Sequence, residues 1–96
     1  MAAYVIFNLL EITDPDQWNA YRENVGAAMA NHGARVISSD PEFKVLEGEW
    51  NGIQNVIIQF DDMAAVERWY ASDDYKPMLE MRLGSARGNL IAVNGL

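Results

Sequence analysis

The hydrophobic pattern opens with a segment, Ala3–Ile12, that is apolar on both sides. Val5, Phe7 and Leu9 alternate to one side, Tyr4, Ile6, Leu10 and Ile12 to the other, and Asn8 is the one polar residue before Glu11. Period-two alternation predicts a β-strand, and apolar residues on both faces require cover on both. Thr13-Asp14-Pro15-Asp16-Gln17 then starts a helix, with Asp14 as N-cap, Pro15 at the first helical position and Gln17 placed to close a capping box. Trp18, Tyr21, Val25, Ala28, Met29 and His32 fall on one stripe of a helix running from Pro15 to His32, and Gly33 is placed to stop it.

Ala34–Ser38 predicts a second strand, and Phe43–Gly48 continues extended after Asp40-Pro41, as two arms of one bent strand or as a hairpin. Asn51-Gly52 signals a turn before Gln54–Phe60, where Val56, Ile58 and Phe60 alternate with Asn55, Ile57 and Gln59. Asp61 or Asp62 caps a helix that turns Val66, Trp69 and Tyr70 inward. Ser72-Asp73-Asp74 interrupts and recaps it, and Tyr75–Leu83 forms a further short helix with Pro77 in its first turn. Gly84 and Gly88 loosen the chain before a last strand, Asn89–Asn94.

The order β-α-β-β-α-β predicts an α+β, ferredoxin-like fold: a four-stranded antiparallel sheet with its helices on one face. Helices on one face leave the second apolar face of the first strand bare. A second copy of the chain is the simplest cover, so two sheets packed face to face across a two-fold axis, a dimeric α/β barrel, are expected.

At 96 residues, half of them hydrophobic, the chain is one domain (residues 1–96) with enough apolar material for a core. Seven Lys and Arg against fourteen Asp and Glu give a net charge of −7 with no basic run, which excludes nucleic acid and anionic membrane surfaces as partners. There is no cysteine, and therefore no disulfide, thiolate nucleophile or thiolate metal site. No apolar run reaches the ~20 residues of a membrane span. Met1-Ala2-Ala3 carries no charged leader, so a cytoplasmic protein is the expectation.

Thr13-Asp14-Pro15, Tyr21-Arg22, His32-Gly33, Leu46-Glu47-Gly48-Glu49-Trp50, Gln59-Phe60 and Ser72-Asp73-Asp74-Tyr75-Lys76-Pro77 followed by Arg82 resemble the DUF1330 family in order and spacing, over nearly the whole chain. The resemblance implies the dimeric α/β-barrel group. It implies no chemistry, because the family's activity is not established. Two departures stand out: Gly33-Ala34 replaces a common Gly-Gly pair, and Ser38-Ser39-Asp40 occupies a place where relatives tend to carry an Arg.

Candidate chemistry is sparse. His32 is the only histidine, so any imidazole acid–base step must use it, although a helix's last turn also favours a cationic side chain. One His without Cys makes no conventional zinc or iron site. Asp61-Asp62 and Asp73-Asp74 read as helix caps rather than ion ligands, and no dinucleotide or phosphate fingerprint is present, so neither metal nor cofactor is expected. Arg82, among Met78, Leu79 and Met81, requires a carboxylate or an anionic ligand, with Glu47 as the partner within the chain. Ser72 reads as an N-cap, since no base is spaced to activate it as a nucleophile.

Trp18 and Trp69 read as core. Trp50, beyond the main apolar pattern, either walls a pocket or crosses the dimer interface. Asn8, Gln59 and Tyr75 complete the candidate ligand set, with cross-strand hydrogen bonding as the alternative for Asn8 and Gln59. Two function classes follow. One is an aromatic-lined pocket between sheet and helices for a small apolar or aromatic compound, with His32 moving a proton and Arg82 holding an enolate or carboxylate, by fold analogy to cofactor-independent monooxygenases and isomerases. The alternative is a non-catalytic, ligand-binding or stress-related homodimer, or, further off, a purely structural interaction module.

Overall fold

A computed structural model describes all 96 residues as β1 (Ala3–Ile12), α1 (Pro15–Ala30), β2 (Arg35–Asp40), β3 (Gln54–Phe60), α2 (Met63–Tyr70), α3 (Lys76–Ser85) and β4 (Ala86–Asn94). The four strands form one sheet in the order β2-β3-β1-β4, with every neighbouring pair antiparallel. This is the expected α+β, ferredoxin-like arrangement. The Cα atoms span 36 × 32 × 16 Å, and the short axis leaves room for one helix layer on one sheet and nothing more.

Register sorts the side chains into two faces. Toward the helices, Ala3, Val5, Phe7 and Leu9 are all buried. On the other face, Ile6 of β1 lies opposite Ile57 of β3 and Ile91 of β4, which makes an isoleucine row across three strands. Tyr4, Gln59 and Val93 flank that row on one side, and Asn8, Asn55 and Asn89 on the other. No helix covers this face.

The helix-side core divides in two. One cluster gathers Phe60, Trp69, Tyr75, Val5, Val66 and Ile58. The other holds Phe7, Leu9, Trp18, Tyr21 and Ala86. Trp69 anchors the first, with Tyr75 4.2 Å and Phe60 5.2 Å away between ring centroids. The second is a layered set in which Trp18 stacks on Tyr21 at 5.3 Å and tilts over Phe7 at 6.4 Å.

Caps form where oxygen-bearing side chains precede apolar runs. Asp14 Oδ1 accepts from Gln17 N at 3.2 Å, and Asp62 Oδ1 accepts from Ala65 N at 2.8 Å. The α1 helix ends at Ala30, two residues before the predicted His32. Gly33, at φ +69°, then reverses the chain in the left-handed region that suits glycine. Ser72 caps a turn rather than a helix: its hydroxyl accepts from Tyr75 N at 3.3 Å and donates to Trp69 O at 2.7 Å, while α3 begins at Lys76.

Two expectations are corrected. Phe43–Gly48 is not an arm of the second strand, because residues 41–53 leave the sheet. Pro41 has no N–H to continue the ladder, Asp40 Oδ1 turns the chain by accepting from Glu42 N at 2.7 Å, and Gly48 bends it again at φ +77°. Nor is Gly88 a loose link, since β4 already begins at Ala86. A Cβ at residue 88 would meet the Phe7 ring at 2.6 Å and Asn8 O at 2.7 Å, so the glycine lets Phe7 lie across the strand.

Trp69→Ala is expected to destabilise the fold by about 3–5 kcal/mol, the cost of truncating a buried large aromatic. Leu46→Ala, on the exposed connection, should change stability by less than about 0.5 kcal/mol. Urea denaturation of the two variants checks the contrast.

Candidate functional site

A cavity of about 270 Å³ lies where the two core clusters part. Met29, Trp69 and Tyr75 of the first cluster line it, as do Phe7, Trp18 and Tyr21 of the second. Its origin is local. The backbone of α1 packs closely against α3 rather than the sheet, and the large rings of Trp18 and Tyr21 fill part of the gap beneath. The remaining space opens between α1 and the edge strand β2, where exposed Arg22, Gly26, Val36 and Ser39 form the mouth.

Arg82 is the charged group inside. Ser85, three residues on, is fully buried and ties the end of α3 to the β1–α1 junction: its carbonyl accepts from Thr13 N at 2.7 Å and Asp14 N at 3.1 Å, and its hydroxyl donates to Met81 O at 2.6 Å. The last turn of α3 is thereby pinned beside β1. Arg82 is carried over Phe7, with its guanidinium carbon 5.0 Å from the ring centroid. The side chain is 6% exposed, forms no ion pair, and leaves Nε without a hydrogen-bond partner. A buried guanidinium without an anion is an unusual and costly arrangement.

Burial, followed by the influence of neighbouring Tyr75, pushes the Tyr21 phenol well above the usual tyrosine range, while Arg82 opposes the rise. Tyr21 is therefore a neutral hydroxyl at working pH and not a base. The lining holds no carboxylate and no imidazole. The cavity can stack a ring, donate hydrogen bonds and neutralise negative charge. It has no group to take a proton.

The predicted site residues fall in four places. Arg82 and Tyr75 share the cavity. Asn8 and Gln59 lie on the opposite, helix-free face of the sheet, where Gln59 Oε1 accepts from Arg35 Nη2 at 2.8 Å. Asn8 Oδ1 is sealed without a partner beneath Gly52, whose Cβ, if present, would collide with it. Glu47 and Trp50 sit on the exposed connection, with Trp50 Nε1 donating to Asn55 Oδ1 at 3.2 Å. The Glu47–Arg82 pair does not form, because that connection leaves the sheet at Pro41 while Arg82 is buried beneath the helices.

His32 lies outside the lining. Its Nε2 is 3.0 Å from Asp74 Oδ1, and Asn31 Nδ2 donates to Asp74 Oδ2 at 3.3 Å, so the pair latches the end of α1 to the turn before α3. Trp18, Tyr21, Arg22 and Trp69 are the lining residues that reading them as core or helix surface passed over. The available signal was the polar tip of Tyr21, set on an otherwise apolar stripe next to an arginine.

The family described as a domain of unknown function, DUF1330, matches residues 2–96. The chain belongs to that family. No curated protein matches it by sequence. Among solved structures, this DUF1330 protein resembles a protein of unknown function from Rhodopseudomonas palustris, with a TM-score of 0.77 at 16% identity, covering 99% of this chain and 82% of the other. It also resembles a dimeric ferredoxin-like protein of unknown function from Jannaschia sp. (TM-score 0.73, 12% identity, covering 99% and 100%). A third likeness is to SnoaB, a cofactor-independent oxygenase from Streptomyces nogalater (TM-score 0.63, 12% identity, covering 99% and 91%). At these identities the likenesses show the fold.

The hydrogen bond with His32 first, and then that from Asn31, hold the Asp74 carboxyl well below the usual carboxylate range. A depressed carboxyl stabilises the fold above its unfolded pKa, about 4, and that contribution is lost as pH falls toward the folded value. Asp74→Asn is expected to flatten the fall in Tm between about pH 5 and pH 2. An acid limb identical to the wild type's would show that the latch contributes nothing.

Proposed function

We propose that this DUF1330 protein is a homodimer that binds a small aromatic or carbonyl compound in the cavity beneath α1. The carrying observation is the cavity itself. It is a space of about 270 Å³ at the split of the core, ringed by Phe7, Trp18, Tyr21, Trp69 and Tyr75, with a mouth between α1 and β2. Concave, mostly apolar sites with a few polar groups are the usual form of small-molecule pockets. Binding takes precedence over turnover because the lining supplies no base, and His32 is bonded to Asp74 outside it.

Turnover is the second reading. It is favoured by the shared fold of the Streptomyces oxygenase, which acts without a cofactor. In that case the compound must ionise by itself, and the protein's part is to hold the resulting anion.

Assembly follows from the bare sheet face. Its row of Ile57, Ile6 and Ile91, with half-buried Tyr4 and Leu10 nearby, is apolar surface that a monomer leaves in water. The 36 × 32 Å outline is wide enough for the roughly 800 Å² that a standard interface takes from each partner. The Jannaschia protein of the same fold is itself described as dimeric.

Two experiments test these readings. In a Trp50→Phe background, the remaining tryptophans, Trp18 and Trp69, both line the cavity. A saturable fluorescence change is expected with small aromatic compounds. It should be lost on Gly26→Leu, which fills the mouth at a position where a Cβ meets nothing within 4 Å. For assembly, sedimentation should give twice the 10.8 kDa chain mass, and Ile91→Glu should give a folded monomer. A wild-type monomer at micromolar concentration would remove the homodimer.

A further inference from the structure

We infer that the cavity is an anion site whose ligand is a one-ring aromatic carboxylate or phenolate anchored by Arg82. This rests on the small-molecule reading and adds the charge and shape of what binds.

Charge is the first ground. The chain carries fourteen carboxylates against seven Lys and Arg, yet the lining includes two arginines, Arg22 and Arg82, and no carboxylate. In so acidic a protein, this leaves a local positive field in a low-dielectric recess. Arg22 is exposed at the mouth and Arg82 is buried at depth, so attraction at entry and neutralisation at the anchor act on the same sign of ligand.

Unsatisfied hydrogen-bonding capacity is the second and independent ground. Three buried side-chain polar atoms in the molecule lack a partner: Asn8 Oδ1, Trp69 Nε1 and Arg82 Nε. Two of the three belong to residues lining this one cavity, and both of those are N–H donors. The neutral polar pair at the mouth is already satisfied, since Gln54 Nε2 donates to Ser39 Oγ at 2.8 Å. What these two donors lack is an acceptor. An oxyanion supplies acceptor and counter-charge together, and a charge-assisted bond to a guanidinium is among the stronger ones a ligand can make.

Shape follows from the walls. Phe7 lies against the guanidinium, and Trp18, Tyr21, Trp69 and Tyr75 supply further ring surfaces for a flat partner. At about 270 Å³ the space is slightly below the roughly 300–1,000 Å³ of common ligand pockets, which limits the ligand to a single ring with short substituents. Tyr21, kept neutral by its burial, adds an O–H without adding a competing negative charge.

The test uses benzoate and benzamide, which share a shape and differ in charge, titrated calorimetrically into the intact wild-type protein. Benzoate is expected to bind about 10- to 100-fold more tightly, the range for gaining a charge-assisted hydrogen bond. Arg82→Met should erase that difference, and should leave the ligand-free Tm equal or higher because an unpaired buried cation is gone. As a second measurement, 4-nitrophenol should show its phenolate absorbance at lower pH when bound to wild type, and no such shift with Arg82→Gln. The wild-type comparison stands whether or not either variant folds. Equal binding of benzoate and benzamide overturns the anion site and leaves the small-molecule reading intact. No binding of benzoate, benzamide or 4-nitrophenol overturns both.

Discussion

Trp18 and Tyr21, three residues apart on one side of α1, stack on each other and occupy the space between that helix and the sheet. A helix packed directly on a sheet sits about 10 Å away and closes the gap with aliphatic side chains. Here the rings act as spacers, and the backbone of α1 makes its close approach to α3 instead. The division of the core, the void at the division and the opening beside β2 all follow from that stand-off.

A stand-off helix also explains how an arginine is tolerated inside. The Ser85 carbonyl, bonded to the amides of Thr13 and Asp14, locks the end of α3 to the end of β1, so Arg82 cannot swing outward without breaking a buried junction. Its contact with Phe7 recovers part of the lost hydration, about 2 kcal/mol for a desolvated cation over a ring. The remainder is stability given up at that one position.

Much of the architecture was legible in the residues, and the reasons are specific. The limits of β3 were readable to the residue because its alternation ends at turn chemistry on one flank and capping chemistry on the other, and the end of β1 because Thr13-Asp14-Pro15 starts a helix. Residues 43–48 misled because β-prone composition describes fitness for a pleated surface, and Pro41 had already taken the chain away from any partner strand. A pocket between sheet and helices was expected, but its bordering rings were hidden because Trp18, Tyr21 and Trp69 at helical spacing look the same whether they fill a core or border a gap in it. Arg82 stood out as a cation among apolar neighbours. Its assigned partner, Glu47, could not be checked without knowing that residues 41–53 turn away from the sheet. His32 lies on the helical stripe, yet only three-dimensional placement shows that the stripe's end passes beyond the pocket to Asp74.

Gly88 gives the pocket an outside control. It is exposed on the edge strand, touches no ligand space, and is the vacancy into which the Phe7 ring extends. Phe7 in turn is both floor of the recess and platform for the guanidinium. Any side chain grafted onto that rim position must push the platform inward or tilt it. Drift among relatives at one surface glycine would therefore re-cut the chamber and re-aim its charge while every residue lining it stayed the same.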